Sequence, residues 1–140
     1  MNYLLDTNVV SEALRAKPNQ AVAQFLSTLS EESAYLSALT LGEIRKGVEA
    51  LANGPGKHRL RAWLEDDLRS RFEGRLLSID ARVSDAWGRM LAGHRRPASA
   101  IDGLIAATAL VNDCTVVTRN VGNFTFQGLR VLDPFAPRTA

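Results

Sequence analysis

The residues Tyr3-Leu4-Leu5-Asp6-Thr7-Asn8 decide the fold of this chain, because they place an acid directly after a short apolar run. A short apolar run that ends in a turn signal is typical of a buried strand in a parallel sheet. The carboxyl ends of such strands form the edge where open α/β sheets bind their ligands. Asp6 is therefore predicted to lie at the ligand-binding edge of a sheet.

Two later acids, Glu43 and Asp102, also lie in strongly apolar surroundings. Glu43 follows Leu39-Thr40-Leu41-Gly42, and Asp102 follows Ser99-Ala100-Ile101, so both come near predicted helix starts. Carboxylates gathered at one sheet edge repel one another unless a cation lies between them, and hard divalent cations take oxygen ligands. We therefore expect Asp6, Glu43 and Asp102 to converge on one site for Mg²⁺ or Mn²⁺.

A structural explanation exists for each of these acids. Glu43 lies three residues after Thr40, and Asp102 lies three residues after Ser99, which is the spacing of a helix capping box. Asp6 could serve the turn into the following helix. Buried carboxylates still need partners, and the chain has only three lysines to supply them, so the metal interpretation is favoured for the set as a whole.

Apolar runs alternate with amphipathic stretches along the whole chain. This alternation predicts an α/β/α sandwich, with a central, mostly parallel sheet covered by helices on both faces. The length of 140 residues fits a single domain over residues 1–140. The predicted strands are 3–5, 34–37, 76–79, 115–117 and 129–132, and the predicted helices begin near Thr7 or Asn8, Asn19, Thr40, residue 57, Asp80 and Ser99.

The composition is that of an ordinary globular protein, with 46% hydrophobic and 23% charged residues. No apolar run is long enough to span a bilayer and no secretory signal opens the chain, so a cytoplasmic protein without a membrane partner is expected. The single Cys114 excludes an internal disulfide and is predicted to be buried. Arginine supplies fourteen of the 17 basic residues, which permits a nucleic-acid partner without requiring one.

Four motifs, taken in chain order, resemble the PIN-domain family. They are Leu4-Leu5-Asp6-Thr7-Asn8, Glu43 in a Leu-Gly-Glu-Ile context, Asp102 followed by Leu104-Ile105-Ala106-Ala107, and Val117-Thr118-Arg119-Asn120. They are most similar to the VapC-type toxins of bacterial toxin–antitoxin pairs. The resemblance implies a Mg²⁺- or Mn²⁺-dependent endoribonuclease, homodimerisation and a small antitoxin protein as partner.

The resemblance also assigns roles to particular residues. Asp6, Glu43 and Asp102 match the three principal acids, which act in metal binding and catalysis, and Thr118 matches a hydroxyl residue beside the catalytic site. Asn8 matches the polar residue that follows the first acid. The implied reaction is hydrolysis of a phosphodiester by a metal-activated water, which leaves a 5′-phosphate and a 3′-hydroxyl.

One departure from the family pattern concerns a fourth acid. Many relatives place it after the Thr-Arg pair, where this chain offers Asn120 and Asn123. An asparagine can orient a water or offer a carbonyl oxygen, but it adds no negative charge. A single resident metal is therefore expected, with a second ion arriving together with the substrate phosphate.

Three arginines flank these motifs and are candidates for contacts to the RNA backbone: Arg95, Arg96 and Arg119. For Arg95 and Arg96 an equal alternative is simple charge complementarity with the end of the preceding helix. A stripe of large apolar residues supplies more apolar surface than one small core needs, which favours a homodimer. The stripe consists of Leu60, Trp63, Leu64 and Leu68, with Trp87 nearby.

Two other functions remain open. The first is a HAD-like phosphatase with Asp6 as nucleophile, which would need a second Asp where the chain has Asn8 and a lysine after Lys57, where none occurs. The second is a PIN-like domain that binds RNA or a partner without cutting, which the two asparagines Asn120 and Asn123 make conceivable. Cleavage of RNA by the purified protein would discriminate between the nuclease and this second function.

Overall fold

Strand β1 (Asn2–Leu5) lies at the centre of a five-stranded sheet in the computed structural model, which describes residues 1–136. All strand pairs are parallel, in the order β3-β2-β1-β4-β5. The prediction of a parallel α/β fold is confirmed. Residues 137–140, which the predicted single domain includes, lie outside the described residues. The other strands are β2 (Ala34–Ser37), β3 (Leu76–Leu77), β4 (Cys114–Val117) and β5 (Val131–Leu132).

The strand order places a topological switch point between β1 and β4. The chain builds the sheet from β1 outward through β2 and β3, and then returns to the other side of β1 to add β4 and β5. Leu5 of β1 is in register with Val117 of β4, so these two strands end side by side. The residues that follow them, Asp6 and Thr118, therefore meet in the crevice where such sheets bind ligands.

Seven α-helices connect these strands within residues 1–136, and a π-helical turn (Trp63–Leu68) joins two of them into one long segment. The predicted caps at Asn19, Asp80 and Ser99 are confirmed, because each side chain accepts a backbone N–H of the helix that follows it. The helices are α1 (Thr7–Ala13), α2 (Gln20–Thr28), α3 (Ala38–Glu49), α4 (Pro55–Ala62), α5 (Arg69–Arg71), α6 (Ala81–Ala92) and α7 (Ala100–Val111).

Helix α1 begins at Thr7, within the predicted start, but the caps of α1 and α3 differ from those predicted. Asp6 itself caps α1 by accepting the N–H of Thr7, so neither Thr7 nor Asn8 is the cap. Ser37 caps α3 by accepting the N–H of Leu39, which places Thr40 inside the helix. The strand-end residue serves as the cap in both cases, because the chain turns into the helix without a loop. This correction excludes the capping-box explanation of Glu43, because Glu43 does not lie three residues after the cap Ser37.

The two faces of the sheet carry separate apolar cores. Leu5 and Val117 point into one core with Val9 of α1, while Leu4 and Val116 point into the other with Ile105 of α7. Successive residues of a strand face opposite sides of the sheet, so a continuously apolar strand serves both cores. Cys114 is buried in the second core, as predicted.

The apolar stripe on the segment from α4 to α5 belongs to the first core. Leu64 and Leu68 are buried there, and Leu60 and Trp63 pack against it. Trp87 is half-buried and lies against α7. The stripe thus belongs mainly to the core of its own chain, although Trp63 and Leu68 also line an open cavity beside that core. It gives the homodimer prediction no separate support. Within residues 1–136, no helix has both the length and the apolar character needed to cross a bilayer.

Candidate active site

Asp6 is the buried centre of the site at the switch point, with only 7% of its surface exposed. Its Oδ1 accepts the backbone N–H of Thr7 at 2.8 Å. Its Oδ2 accepts the hydroxyl of Thr118 at 2.8 Å and, more weakly, the side-chain amide of Asn8 at 3.4 Å. All three donors are neutral, so the carboxylate is oriented without its charge being compensated.

Thr118 and Asn8 form a small network that holds the ends of β1 and β4 together. The Asn8 amide also donates to the Thr118 hydroxyl at 3.2 Å, and the N–H of Arg119 donates to the Asn8 carbonyl oxygen at 3.1 Å. The N–H of Asn120 donates to the Thr118 hydroxyl at 3.0 Å. The structure thus brings the predicted residues Asn8, Thr118 and Asp6 into direct contact.

Glu43 reaches the site through Thr7, which the sequence indicated only as a possible helix start. The hydroxyl of Thr7 donates to Oε1 of Glu43 at 2.7 Å, which ties α3 to the start of α1. Thr7 directly follows Asp6, so one two-residue segment contacts both acids. The sequence does show that the hydroxyl of Thr7 lies next to Asp6, but it does not indicate that this hydroxyl contacts Glu43.

Asp102 lies in the first turn of α7, and its N–H donates to the hydroxyl of the capping residue Ser99 at 3.0 Å. Burial raises the pKa of the Asp102 carboxyl, a hydrogen bond with Ser99 opposes the rise, and the charge of Asp6 adds to it. The two aspartates are therefore close enough for the negative charge of one to disfavour that of the other.

None of the three acids is paired with a basic side chain within residues 1–136, although eight ion pairs form elsewhere in that range. A buried carboxylate without a cation is costly, so the arrangement favours a bound cation. The donors present are carboxylate, amide and hydroxyl oxygens, which suit a hard ion such as Mg²⁺ or Mn²⁺.

The described part of the chain contains no group of three or more acidic, His or Cys side chains arranged to hold a metal ion. The expectation that Asp6, Glu43 and Asp102 converge on one metal site therefore stays a prediction. Mg²⁺ commonly takes one or two carboxylates and keeps several waters, so the residues present still fit such an ion. Asp6 and Asp102 are suited to share such an ion, because they lie close enough for the charge of Asp6 to raise the pKa of Asp102.

A cavity of about 200 Å³ opens beside Asp102, between the α6–α7 loop and the segment that follows β4. Arg96 lines this cavity and Arg95 does not, although both are exposed. Asn123 is also in the lining, whereas Asn120 contacts the site through its backbone N–H. The complete lining is His94, Arg96, Pro97, Ala98, Ser99, Asp102, Gly122, Asn123 and Thr125.

The third predicted arginine, Arg119, follows Thr118 and has an exposed side chain. Its guanidinium carbon lies 4.9 Å from the centre of the Phe135 ring, which is a cation–π contact. This contact restrains the guanidinium near the carboxyl edge of the sheet. Neither Phe135 nor the cavity residues His94 and Ser99 were predicted from the sequence to be part of this region.

The fold and the site together define a parallel α/β protein with uncompensated acids at its switch point. Comparison with known proteins makes the assignment specific. The sequence pattern of the PIN domain family matches residues 3–124. The chain belongs to the PIN-domain family, and the resemblance stated from its motifs is confirmed.

Several similar proteins are named as toxins or ribonucleases. Toxin FitB of Neisseria gonorrhoeae is 41% identical over 135 residues, covering 94% of this chain and 97% of that protein. VapC ribonuclease Y4jK of Sinorhizobium fredii is 34% identical over 137 residues, covering 96% and 98%. A structure of FitAB bound to an IR36 DNA fragment contains a chain with a TM-score of 0.90 and 38% identity, covering 98% of both chains. This family membership excludes the phosphatase alternative.

Proposed function

We propose that this chain is a divalent-metal-dependent endoribonuclease, a hydrolase that acts as the toxin of a toxin–antitoxin pair, with residues 1–140 as one domain. The observation that carries the proposal is the buried Asp6 carboxylate at the switch point, bound only by neutral donors and close enough to Asp102 to raise its pKa. The names of the relatives, a toxin and a VapC ribonuclease, support the same function.

The proposed mechanism gives each acid a separate role. Asp6 and Asp102 would hold Mg²⁺ or Mn²⁺, which when bound supplies charge neutralisation at the phosphate and a lower pKa for water. Thr118 and Asn8 fix the orientation of the Asp6 carboxylate. Glu43, held by Thr7, orients the attacking water and accepts its proton.

Asn120 and Asn123 set the number of ions in this proposal. Neither adds negative charge, so the acids of this chain would hold one ion in the absence of RNA, and a second ion would need the charge of the substrate phosphate. Asn120→Asp and Asn123→Asp each restore an acid to the segment. The variant that occupies the fourth position should bind Mn²⁺ more tightly than the wild type while keeping its cleavage activity, and calorimetric titration with Mn²⁺ identifies it.

The proposal is tested by cleavage of labelled single-stranded RNA by the purified protein. EDTA should abolish cleavage, and Mg²⁺ or Mn²⁺ should restore it. Asp6→Asn and Asp102→Asn keep the shape of each side chain and remove its charge, so each should lose at least 100-fold in activity, as expected for a lost electrostatic contact of about 3 kcal/mol. Asp67→Asn removes an exposed acid outside the site and is the matched control.

Two results would contradict the proposal. Full activity of Asp6→Asn in EDTA would exclude a metal nuclease. RNA binding by the wild type without cleavage under any divalent metal would favour the alternative, a PIN domain that binds RNA or a partner without cutting. The chemical state of the fragment ends gives a further check, because the proposed attack by water leaves a 5′-phosphate and a 3′-hydroxyl.

A small antitoxin is the proposed protein partner. A second cavity, of about 210 Å³, is lined mainly by apolar side chains of α1, α2 and the segment from Trp63 to Phe72. Leu14 at its border is 42% exposed, which offers an apolar contact to an incoming strand or helix. A basic side chain of the antitoxin would then reach the uncompensated acids. Leu14→Asp should weaken binding of the small protein encoded beside this gene without changing RNA cleavage.

The remaining proposals are a homodimer and a cytoplasmic location. The homodimer now rests on the family resemblance, since the apolar stripe is used within the chain. Sedimentation at micromolar concentration without antitoxin tests it, and a monomer would contradict it.

A further inference from the structure

The cavity beside Asp102 differs in charge from the acid cluster that it adjoins. Asp102 is the one acid in the cavity lining, and it also belongs to the acid cluster. Arg96 and His94 are the two basic residues of the lining, and Ser99, Asn123 and Thr125 add polar groups. The lining therefore combines one acid, suited to a cation, with two basic residues and three neutral polar residues, suited to an anion.

Of the two basic residues in the lining, Arg96 is free to bind an anion and His94 is held in place. Arg96 forms no ion pair within residues 1–136, so its guanidinium has no competing carboxylate there. The His94 ring packs on the ring of buried Phe126 with 4.5 Å between their centres, which restrains it at the cavity wall. Asn123 and Thr125 face the same space from the segment after β4.

The side chains of the lining indicate what can bind in this space. A cavity of about 200 Å³ that opens to solvent has room for a phosphate group. An arginine and an amide in the lining are donors of the kind that bind phosphate oxygens. A backbone contact is therefore favoured.

We propose that this cavity is a phosphate subsite, which binds a backbone phosphate of the RNA strand next to the phosphodiester that is cleaved. Arg96 supplies the positive charge, and His94 and Asn123 supply hydrogen-bond donors. The subsite sets the register of the strand over Asp102. This inference rests on the proposed ribonuclease function, and it separates two neighbouring arginines: Arg96 binds the substrate and Arg95 does not.

The test compares Arg96→Gln with Arg95→Gln. Each variant loses one positive charge from the same exposed loop, so a general electrostatic effect would be the same in both. Affinity for a fluorescent single-stranded RNA is measured by anisotropy in EDTA, where the proposed reaction does not proceed. Arg96→Gln should weaken binding about 10-fold and lower the slope of log affinity against log salt by about 0.7, the value for one phosphate on a single strand.

Further variants separate a specific contact from general charge. Arg95→Gln should change RNA affinity by less than about 3-fold, as expected for an exposed charge. Arg96→Lys should recover part of the affinity, because a lysine keeps the charge but not the bidentate geometry. His94→Gln should weaken binding less than Arg96→Gln. Melting temperatures equal to that of the wild type confirm that each variant is folded.

Competition with inorganic phosphate distinguishes two possible ligands of the subsite, a phosphate of the RNA backbone and the free phosphate anion. If the subsite serves the RNA backbone, phosphate competes with RNA for the wild type and does not compete for Arg96→Gln. Phosphate binding that depends on Arg96, combined with unchanged RNA affinity of Arg96→Gln, would identify a site for the free anion and overturn the proposal. Equal weakening by Arg95→Gln and Arg96→Gln would overturn it as well.

Cleavage kinetics keep this inference apart from the proposed function. With Mg²⁺ or Mn²⁺, Arg96→Gln should raise KM about 10-fold and leave kcat near the wild-type value, because the contact is present before and during the reaction. Arg96-dependent RNA binding by a protein that never cleaves would support the subsite and contradict the ribonuclease. Cleavage with the same KM in the wild type and Arg96→Gln would support the ribonuclease and contradict the subsite.

Discussion

The contact between α6 and α7 behind Asp102 leads to a quantitative prediction for Gly103→Ala. A Cβ atom at Gly103 would lie 2.9 Å from Nε1 and 3.2 Å from Cδ1 of Trp87, both closer than normal van der Waals contact. Gly103 is buried and directly follows Asp102. The new methyl group must therefore displace either the indole of Trp87 or the first turn of α7.

The expected magnitude follows from two opposing effects. Alanine is favoured over glycine within a helix by about 1 kcal/mol, while overpacking a tight contact costs about 1–3 kcal/mol. Nε1 of Trp87 is buried and has no hydrogen-bond partner within residues 1–136, so an outward shift of the indole regains some hydration and keeps the cost from rising further. The net change should be a loss of 0 to about 2 kcal/mol in the free energy of unfolding.

Gly88→Ala is the matched control. Gly88 lies inside α6, and a Cβ atom there would meet nothing within 4 Å, so only the helix propensity changes. This control should gain up to about 1 kcal/mol, which separates the two variants by about 1–3 kcal/mol. At about 4 °C per kcal/mol for a domain of this size, their melting temperatures should differ by about 4–12 °C.

Thermal unfolding and RNA cleavage together measure the effect. Movement of α7 would carry Asp102 with it, so Gly103→Ala should also lower kcat/KM, whereas Gly88→Ala should not. The double variant Trp87→Phe/Gly103→Ala should recover part of the stability, since the smaller ring vacates the space needed by the methyl group. The reasoning is refuted if Gly103→Ala is as stable and as active as Gly88→Ala.

Three further predictions concern single side chains. Thr7→Val removes the hydroxyl that holds Glu43 and should lower kcat/KM about 10- to 100-fold, as expected for a lost hydrogen bond to a charged group, while Thr7→Ser should keep most of the activity. Thr40→Val should raise the denaturant midpoint, because the buried Thr40 hydroxyl has no partner within residues 1–136; a lower midpoint would contradict this. Hydrogen bonds from Arg61, and secondarily from Arg45, lower the pKa of Glu49 from 4.5 to about 2, so their stabilisation is present above pH 4.5 and is lost as pH falls to about 2. The stability difference between wild type and Glu49→Gln should therefore disappear over that interval in acid unfolding curves.

Local sequence was sufficient for the elements of the fold and for some of their boundaries. The apolar run before Asp6 predicted β1, and the polar residues Asn19, Asp80 and Ser99 marked helix starts, because a cap depends on hydrogen bonds to the next three residues. Boundaries failed at Ser37 and Thr40, where the strand runs directly into the helix and both residues are chemically able to cap.

The apolar stripe from Leu60 to Leu68 shows a second limit of local reasoning. Its spacing correctly indicated an amphipathic helical segment, but the pattern does not reveal what covers the apolar face. The structure buries Leu64 and Leu68 against the first core of the same chain. Whether an apolar face meets its own domain or a second subunit depends on where the sheet lies, and no window of helical length contains that information.

The candidate site divides in the same way. The sequence by itself determined which acids follow apolar runs, and thus that Asp6, Glu43 and Asp102 are candidates. Tertiary structure alone decided that Thr7 holds Glu43 across 36 positions and that Thr118 holds Asp6 across 112. It also decided that Arg96, and not Arg95, lines the cavity beside Asp102. The physical reason is that periodicity and capping act over a few residues, whereas these contacts depend on the strand order that places β2 and β4 on either side of β1.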